Sequence, residues 1–379
     1  VQTISNAKTS DSQAVVVTGM GLLTCLGSLQ QSWQSLLAGK SGIKFIQPFA
    51  GLPFYPLGAI APKPIEISTI TEPIVAAALA DANLKLPLPD CAVVIGSSRG
   101  CQANWERYNA ANWLETLPHQ PAIATARYLQ TTAPVLAPMA ACATGIWAIA
   151  RGYELVATNR CQRAVVGAVE APITRLTLAA FERMGALAAT GCFPFDRQRE
   201  GLVLGEGGAV LVMETAALAR SRRARVYGEI LGFGLSCDAH HISSLDISNR
   251  AAYQAVKQCL SRSQIEAKTV DLIHAHGTGT ELNDRREAKI IEHLFAPEVA
   301  VTATKGATGH TLGASSAIST ALTLMAISQS IQPACIGLQQ PECELNFVTK
   351  PRQKQINSAL CFSFGFGGQN AVLAVGKYE

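Results

Sequence analysis

Short apolar runs alternate along this chain with longer amphipathic stretches, and each kind of run predicts a different element. Runs over residues 14–21, 90–96, 132–139, 163–169, 209–214, 225–234, 270–276, 299–304, 359–364 and 370–375 are short, apolar and bounded by turn residues, as buried strands are. Between them, residues 28–38, 71–84, 174–184, 215–220, 250–261, 284–294 and 311–328 carry helical spacing, with Trp33, Leu36 and Leu37 on one face of the first and Pro73 in the first turn of the second. The alternation predicts an α/β protein with mainly parallel sheets covered by helices. It also restarts near residue 225, which divides the chain into a flexible tail over 1–12, one half over 13–224 and a second over 225–379. Residues 41–65 read as an ordered loop. The stretch 101–131 is the least legible, with Trp105, Tyr108, Trp113 and Tyr128 placed to cover a pocket mouth or to meet another subunit.

Composition narrows the class. With 379 residues, 48% hydrophobic and 15% charged, the chain can bury a large core and does not resemble a disordered one. A net charge of +4 spread along the chain gives no case for nucleic acid, and no run is long enough to span a membrane. The one basic cluster, Arg220-Ser221-Arg222-Arg223-Ala224-Arg225, reads as a solvated loop or as a docking surface for an acidic partner. Eleven cysteines without a C-x-x-C pair argue against zinc and a disulfide framework and for a reducing, cytoplasmic setting. Gly19, Gly21 and Gly27 lack the spacing of a dinucleotide fingerprint, so no nucleotide cofactor is expected.

One cysteine stands apart. Cys142 lies in Ala140-Ala141-Cys142-Ala143-Thr144-Gly145, after an apolar run containing Pro138 and directly before a helical pattern. A strand, a tight turn and a helix would place the sulfur at a helix N-terminus, whose field favours the thiolate, while small neighbours admit a substrate carbonyl. Three later segments supply groups that such a nucleophile would use. They are His274-Ala275-His276-Gly277-Thr278-Gly279-Thr280, Lys305-Gly306-Ala307-Thr308-Gly309-His310, and Phe364-Gly365-Phe366-Gly367-Gly368. Singly, each has a structural explanation. Together they offer a thiol, two imidazoles, a lysine and free backbone donors.

On these segments, with Phe195-Asp-x-x-Arg-x-Gly-x-Val-x-Gly-Glu-Gly207 and Asp238-Ala-His-His-Ile242, the chain resembles the β-ketoacyl-acyl carrier protein synthases from about Val15 to Val375. The resemblance implies the thiolase fold, two similar halves in an αβαβα layering, and a homodimer. It implies that Cys142 carries an acyl group taken from the phosphopantetheine of an acyl carrier protein, that neutral His276 and His310 hold the enolate formed when a malonyl thioester decarboxylates, and that the Cys142 and Phe366 N–H groups form an oxyanion hole. Lys305 would order the site in a pair with Glu287. Thr278 and Thr280 would bind pantetheine, Phe366 would gate the acyl pocket and Trp147 would lie near it. No metal or organic cofactor is implied. Compared with the family pattern, Ala140, Phe362, Gln369 and Lys305-Gly306-Ala307 are departures, and residues 97–139 are short where the dimer contact is usually built. The alternative is a catalytically weak, synthase-like subunit that binds a carrier protein or a true synthase; a coenzyme A-linked thiolase is a third reading.

Overall fold

The computed structural model describes residues 14–105, 113–241, 246 and 248–379. The expected tail over 1–12, together with Tyr108 and Ile242, lies outside them. Ten strands in chain order build the main sheet: β1 Val15–Thr24, β2 Cys91–Gly96, β3 Val135–Leu136, β4 Arg163–Glu170, β5 Gly207–Thr215, β6 Gly228–Cys237, β7 Leu272–His274, β8 Ala300–Thr302, β9 Ser358–Gly365 and β10 Gln369–Gly376. The order across the sheet is β8-β7-β9-β10-β6-β1-β5-β4-β2-β3, with the short strand Gly27–Ser28 attached to β1.

That order contains the same pattern twice. In the first half, β1 pairs antiparallel with β5, β5 antiparallel with β4, β4 parallel with β2, and β2 parallel with β3. In the second, β6, β10, β9, β7 and β8 repeat these neighbours with the same senses. The halves join where Val16 and Val17 of β1 face Glu229 and Gly228 of β6. The sheet is therefore mixed, correcting the expectation of mainly parallel pairing. The link between β9 and β10 is only the turn Phe366–Gly368, and so short a connection forces an antiparallel pair.

Besides the short Gln102–Trp105 and Ala216–Ser221, the helices are α1 Leu29–Leu37, α2 Ile67–Asp81, α3 Gln120–Leu129, α4 Thr144–Ala157, α5 Arg175–Arg183, α6 Arg250–Ser263, α7 Glu281–Leu294, the single turn α8 Lys305–Thr308, and α9 Ser315–Gln329. Three apolar cores order the layers. One packs α2 and α3 on Val93, Val165 and Val212 of the first half. A second packs α6 and α7 on Ile273, Leu360 and Val372 of the second half. The third and largest holds α4 and α9 between both sets of strands, through Val94, Val166 and Leu211 on one side and Cys361 and Leu373 on the other. Alternate residues of one strand thus enter different cores, as period-two side-chain placement requires. The result is the αβαβα layering.

The middle layer explains two sequence features. Helix α9 is rich in Ser and Thr yet buried throughout residues 315–327. It hides its hydroxyls by bonding them back one turn, with Ser319, Thr320 and Thr323 donating to the carbonyls of Ser315, Ser316 and Ser319. Gly145 lets α4 approach it, since a Cβ there would stand 2.4 Å from Ala317 N.

Three element boundaries differ from expectation. The strand expected over 132–139 is reduced to Val135–Leu136. Helix α2 starts at Ile67, so Pro73 lies inside it on the exposed face rather than in its first turn. Gly19 and Gly21 are not a turn; β1 runs through them because α2 crosses so closely that a Cβ at either would meet the backbone of Ile74, Ala78 or Ala82. In the basic cluster, Arg222 pairs with buried Glu214 at 2.5 Å and the Arg225 guanidinium lies over Tyr227. All eleven cysteines are free, and among the described residues no helix is long and apolar enough to cross a membrane.

Candidate active site

Cys142 stands on a strained elbow. Ala141 has a φ of 47°, in the left-handed region that alanine rarely enters, and the chain turns there directly into α4. The turn is tied by Thr144, whose hydroxyl accepts from Ala140 N at 2.9 Å and donates to Ala141 O at 2.7 Å. The Cys142 carbonyl accepts from Ser363 Oγ at 2.9 Å and Ser316 Oγ at 3.3 Å. Ser316 also accepts the otherwise unpaired N–H of Ile146 in the first turn of α4. A strand and a helix of the second half therefore orient the nucleophile of the first.

His276 comes from the turn after β7, and His310 from the segment between α8 and α9. The thiol sulfur and one ring nitrogen of each imidazole lie within 4.8 Å of one another. The rings stand edge to face with centroids 5.3 Å apart. Both are buried, and burial with the nearby Lys305 charge drives both imidazoles well below the ordinary histidine value, so both are neutral. Ser315 Oγ lies 2.8 Å from His310 Nδ1 and 3.0 Å from Thr311 Oγ1. With Thr311 donating to Ser315, the serine proton is free for Nδ1, and the Nε2–H of His310 is left to face the cavity.

Lys305 and Glu287 do not form the expected ion pair. They grip opposite ends of the same residue. Glu287 accepts from the N–H of His276 at 2.5 Å and of Gly277 at 2.8 Å, while the Lys305 ammonium donates to the His276 carbonyl and lies 3.4 Å from its Nδ1. Burial raises the Glu287 carboxyl and lowers the Lys305 ammonium from their ordinary values. Asp284, one turn earlier on α7, accepts from Phe195, Thr278 and Gly279 N–H groups at 2.8, 3.0 and 3.2 Å. Two carboxylates on one helix face thus hold the glycine turn that carries His276. That i, i+3 acidic pair was visible in the sequence.

Burial also alters the reading of Cys142. The sequence favours a thiolate, but burial pushes the thiol up to about 11, against the lowering effects of Lys305, Arg99 and a hydrogen bond from Phe366 N–H. The resting nucleophile is a thiol beside two neutral bases, and its proton leaves during attack rather than before it. Phe366 thus brings its backbone donor to the sulfur. Gly365 keeps the adjacent space open, since a Cβ there would stand 3.0 Å from Cys142 N.

Cys142, His276 and His310 line one cavity of about 620 Å³ with Thr278, Thr280, Phe364, Phe366 and Phe181. Thr278 and Thr280 share a hydroxyl contact of 2.9 Å. Phe366 stacks on Phe181 with centroids 6.0 Å apart. Trp147 does not reach the cavity; it packs against the central core with Arg151 over its ring, because five residues at about 100° each turn it well away from the Cys142 side of α4. Sequence reasoning missed Ser315, Ser316, Ser363, Phe181 and Asp284. It also missed the Asp238–Arg286 ion pair of 3.2 Å, which places the guanidinium over Phe364 beside His276.

A thiol and two neutral imidazoles at a cavity floor, set across two repeated α/β halves, define an acyl-transferring condensing site of the thiolase fold. Comparison with known proteins agrees. The family model described as Beta-ketoacyl synthase, N-terminal domain, matches residues 73–219, and that of its C-terminal domain matches residues 227–339. A 3-oxoacyl-[acyl-carrier-protein] synthase 2 of Coxiella burnetii is 31% identical over 97% of this chain and 99% of its own length. The protein of that name from Staphylococcus aureus strain N315 is 32% identical over 98% and 100%. The solved ishigamide ketosynthase/chain length factor superposes with a TM-score of 0.89 at 26% identity, over 97% of this chain and 99% of that one. A type II polyketide acyl-carrier protein–ketosynthase complex bound to the hexaketide gives 0.91 at 24% identity over 96% and 99%, a likeness of fold. The chain belongs to the β-ketoacyl synthase family and is a condensing enzyme of the acyltransferase class.

Proposed function

We propose that the chain is a carrier-protein-dependent elongating synthase in which Cys142, His276 and His310 form the catalytic triad. The observation that carries this reading is the meeting of the sulfur and two neutral imidazoles within 4.8 Å at the floor of an open cavity. An acyl carrier protein presents a thioester at the cavity mouth, where Thr278 and Thr280 bond the pantetheine amides. The Cys142 sulfur attacks, its proton passes to an imidazole and then to the leaving pantetheine thiol, and the acyl group stays on Cys142. A malonyl thioester follows. Its decarboxylation leaves an enolate whose oxygen is held by N–H groups of His276 and His310, and the carbanion attacks the acyl-Cys142 carbonyl. The oxyanion formed there is received by the N–H groups of Cys142 and Phe366, and its collapse breaks the Cys142 sulfur–acyl bond, freeing the β-ketoacyl thioester and the thiol, which takes up a proton.

The Cys–His–His spacing could also hold a cation. A metal bound there would occupy the sulfur that the reaction needs, so in this reading it inhibits. The reading extends to a cytoplasmic homodimer. The edge strand β3 and the exposed Trp105, Trp113, Leu136 and Met139 support pairing on that side. The repeated strand order supports two halves meeting near residue 224. Incubation with acyl- and then malonyl-carrier protein, followed by mass spectrometry, tests the function: a Cys142 adduct that converts to β-ketoacyl product is expected. Absence of any adduct across donors would favour a non-catalytic, synthase-like subunit.

A further inference from the structure

Two histidines lead into the glycine turn after β7, and the mechanism above uses only the second. His274, the last residue of β7, is fully buried. Its side chain faces the middle layer, the side that Leu272 takes and Ile273 does not. Both ring nitrogens have partners: Nδ1 lies 2.9 Å from Thr323 Oγ1 on α9, and Nε2 lies 3.1 Å from Thr304 Oγ1. The neighbours fix the tautomer. Thr323 donates its own proton to the Ser319 carbonyl at 2.7 Å, so its oxygen can only accept from the ring. Nδ1 therefore carries the hydrogen, and Nε2 accepts from the Thr304 hydroxyl.

Those two partners belong to segments that hold the site. The β7–β8 ladder ends where Ala275 N donates to Thr302 O at 2.8 Å. Beyond that bond the chain leaves the sheet and turns into α8, with Thr304 at its N-cap and Lys305 as its first residue. The Thr304 carbonyl closes the turn, accepting from the Ala307 and Thr308 N–H groups at 2.9 and 3.1 Å. Ser41 Oγ and Gly42 N hold the carbonyls of Gly306 and Ala307 from one side, and His274 holds the Thr304 hydroxyl from the other. The turn fixed in this way aims the Lys305 ammonium at the carbonyl and Nδ1 of His276. Thr323, for its part, shares one face of α9 with Ser319 and Ser315, and Ser315 is the partner of His310. One imidazole thus ties the strand leading to His276, the turn bearing Lys305 and the helix that orients His310. A leucine would fill the same space but could not fix Thr304.

We propose that His274 is a positioning residue for Cys142 acylation, which through the Thr304 hydroxyl fixes the turn of Lys305 and so the place of its ammonium beside His276. The proposal rests on the reading of Cys142 as the acyl-carrying nucleophile and of Lys305 as the charge that favours its ionised form. His274 itself moves no proton. Its Nδ1–H is given to Thr323, its Nε2 is occupied by Thr304, and the ring does not line the cavity.

The test follows acylation of Cys142 in the full chain by hexanoyl-pantetheine, using intact-protein mass spectrometry over a range of donor concentrations. His274→Leu and Thr304→Val each remove one side of the bond. Each should lower the maximal rate about three- to ten-fold, the weight of one neutral hydrogen bond. The half-saturating donor concentration should not change, because Thr278 and Thr280 are untouched. The two substitutions together should be no slower than either alone. His274→Gln, whose amide has both a donor and an acceptor, should restore most of the rate. In a Lys305→Met background His274→Leu should add nothing. Thr304→Val carries the same comparisons if the leucine variant does not fold. A Thr304→Val with the wild-type rate, a glutamine variant as slow as the leucine one, or a His274→Leu that slows the reaction by the same factor without Lys305, confines His274 to the core and overturns the proposal. A wild type that takes no acyl group from any donor overturns the role of Cys142 instead.

Discussion

Replacing Lys305 with methionine removes one charge and keeps most of the stem, and its consequences can be worked from the geometry. The ammonium lies 3.4 Å from His276 Nδ1. At an effective dielectric constant of about 20, an imidazolium there would be repelled by roughly 5 kcal/mol. The same charge acts against protonation of His310 and His274, and it is the largest influence opposing the burial that keeps Cys142 a thiol. Two effects follow. With the field gone, burial alone still holds the imidazoles low, but they regain protons more readily, so the acid limb of the acylation profile should move to higher pH than in the wild type. If half of that interaction reaches the more distant sulfur, about 2.5 kcal/mol is lost from its ionised form, slowing acylation roughly 70-fold. The groups facing His276 are Lys305, His310, Glu287 on its backbone and the Phe364 backbone, and the Arg286 guanidinium beyond the Phe364 ring is paired with Asp238. Acylation of Cys142 by an acyl-pantetheine, followed between pH 5 and 9 by intact-protein mass spectrometry, measures both. A K305M profile that superimposes on the wild type would refute the electrostatic role.

Three further outcomes are expected. Gly365→Ala sets a methyl 3.0 Å from Cys142 N and 3.2 Å from Ala140 O, crowding the oxyanion position, and should cut kcat by about a hundred-fold with little change in thermal stability. His310→Ala should leave Cys142 acylation within a few-fold of wild type while carbon dioxide release from malonyl-pantetheine falls by about 10² or more; unchanged condensation would remove His310 from its assigned role. His274 is pushed by burial down to about 3 and stays neutral in the native state, whereas the unfolded chain takes up its proton near 6.5. The unfolded state then binds more protons below that value, so His274 lowers stability by about 2 kcal/mol as pH falls from 7 to 5. Glu206, raised by burial to about 7, works in the opposite sense over the same range. The contribution of His274 is therefore read as the difference in urea-unfolding free energy between wild type and H274N at the two pH values, and a constant difference would disprove it.

What the sequence discloses and what it hides follow one division. Cys142, His276, Lys305 and His310 each stand beside turn residues on short, distinctive segments, so local pattern finds them. The α/β class was legible because strand-like and helix-like runs alternate twice, while the αβαβα layering came only from the family resemblance. Strand sense was not, because alternation says nothing of a strand that returns beside its neighbour, as β10 does after the turn at Phe366–Gly368. The Lys305–Glu287 relation was misread for a related reason. Sequence could place two opposite charges near one site, but only the fold shows that they hold opposite ends of the His276 backbone. Trp147 was judged from its distance along the chain, but its position around α4 turns it to the central core rather than the cavity. Glu170 and the Ser98 that donates to it carry no local signal at all; they stand 72 positions apart, and only adjacent strands bring their loops together.

The duplication also bears on why the site works. Cys142 belongs to the first half, and His276, Lys305 and His310 to the second, while the sheet seam between halves is only the short β1–β6 pairing. The halves are locked instead through the middle layer, where α4 meets α9 across Gly145. That contact lies directly behind the nucleophile, and the hydroxyls of Ser316 and Ser363 cross from the second half to hold the Cys142 carbonyl. The distance between sulfur and imidazoles is therefore set by close helix–helix packing in the middle layer and not by loops. A larger residue at Gly145 would separate the halves where the chemistry needs them closest. The small-residue character of both helices is thus a requirement of the reaction as much as of the fold.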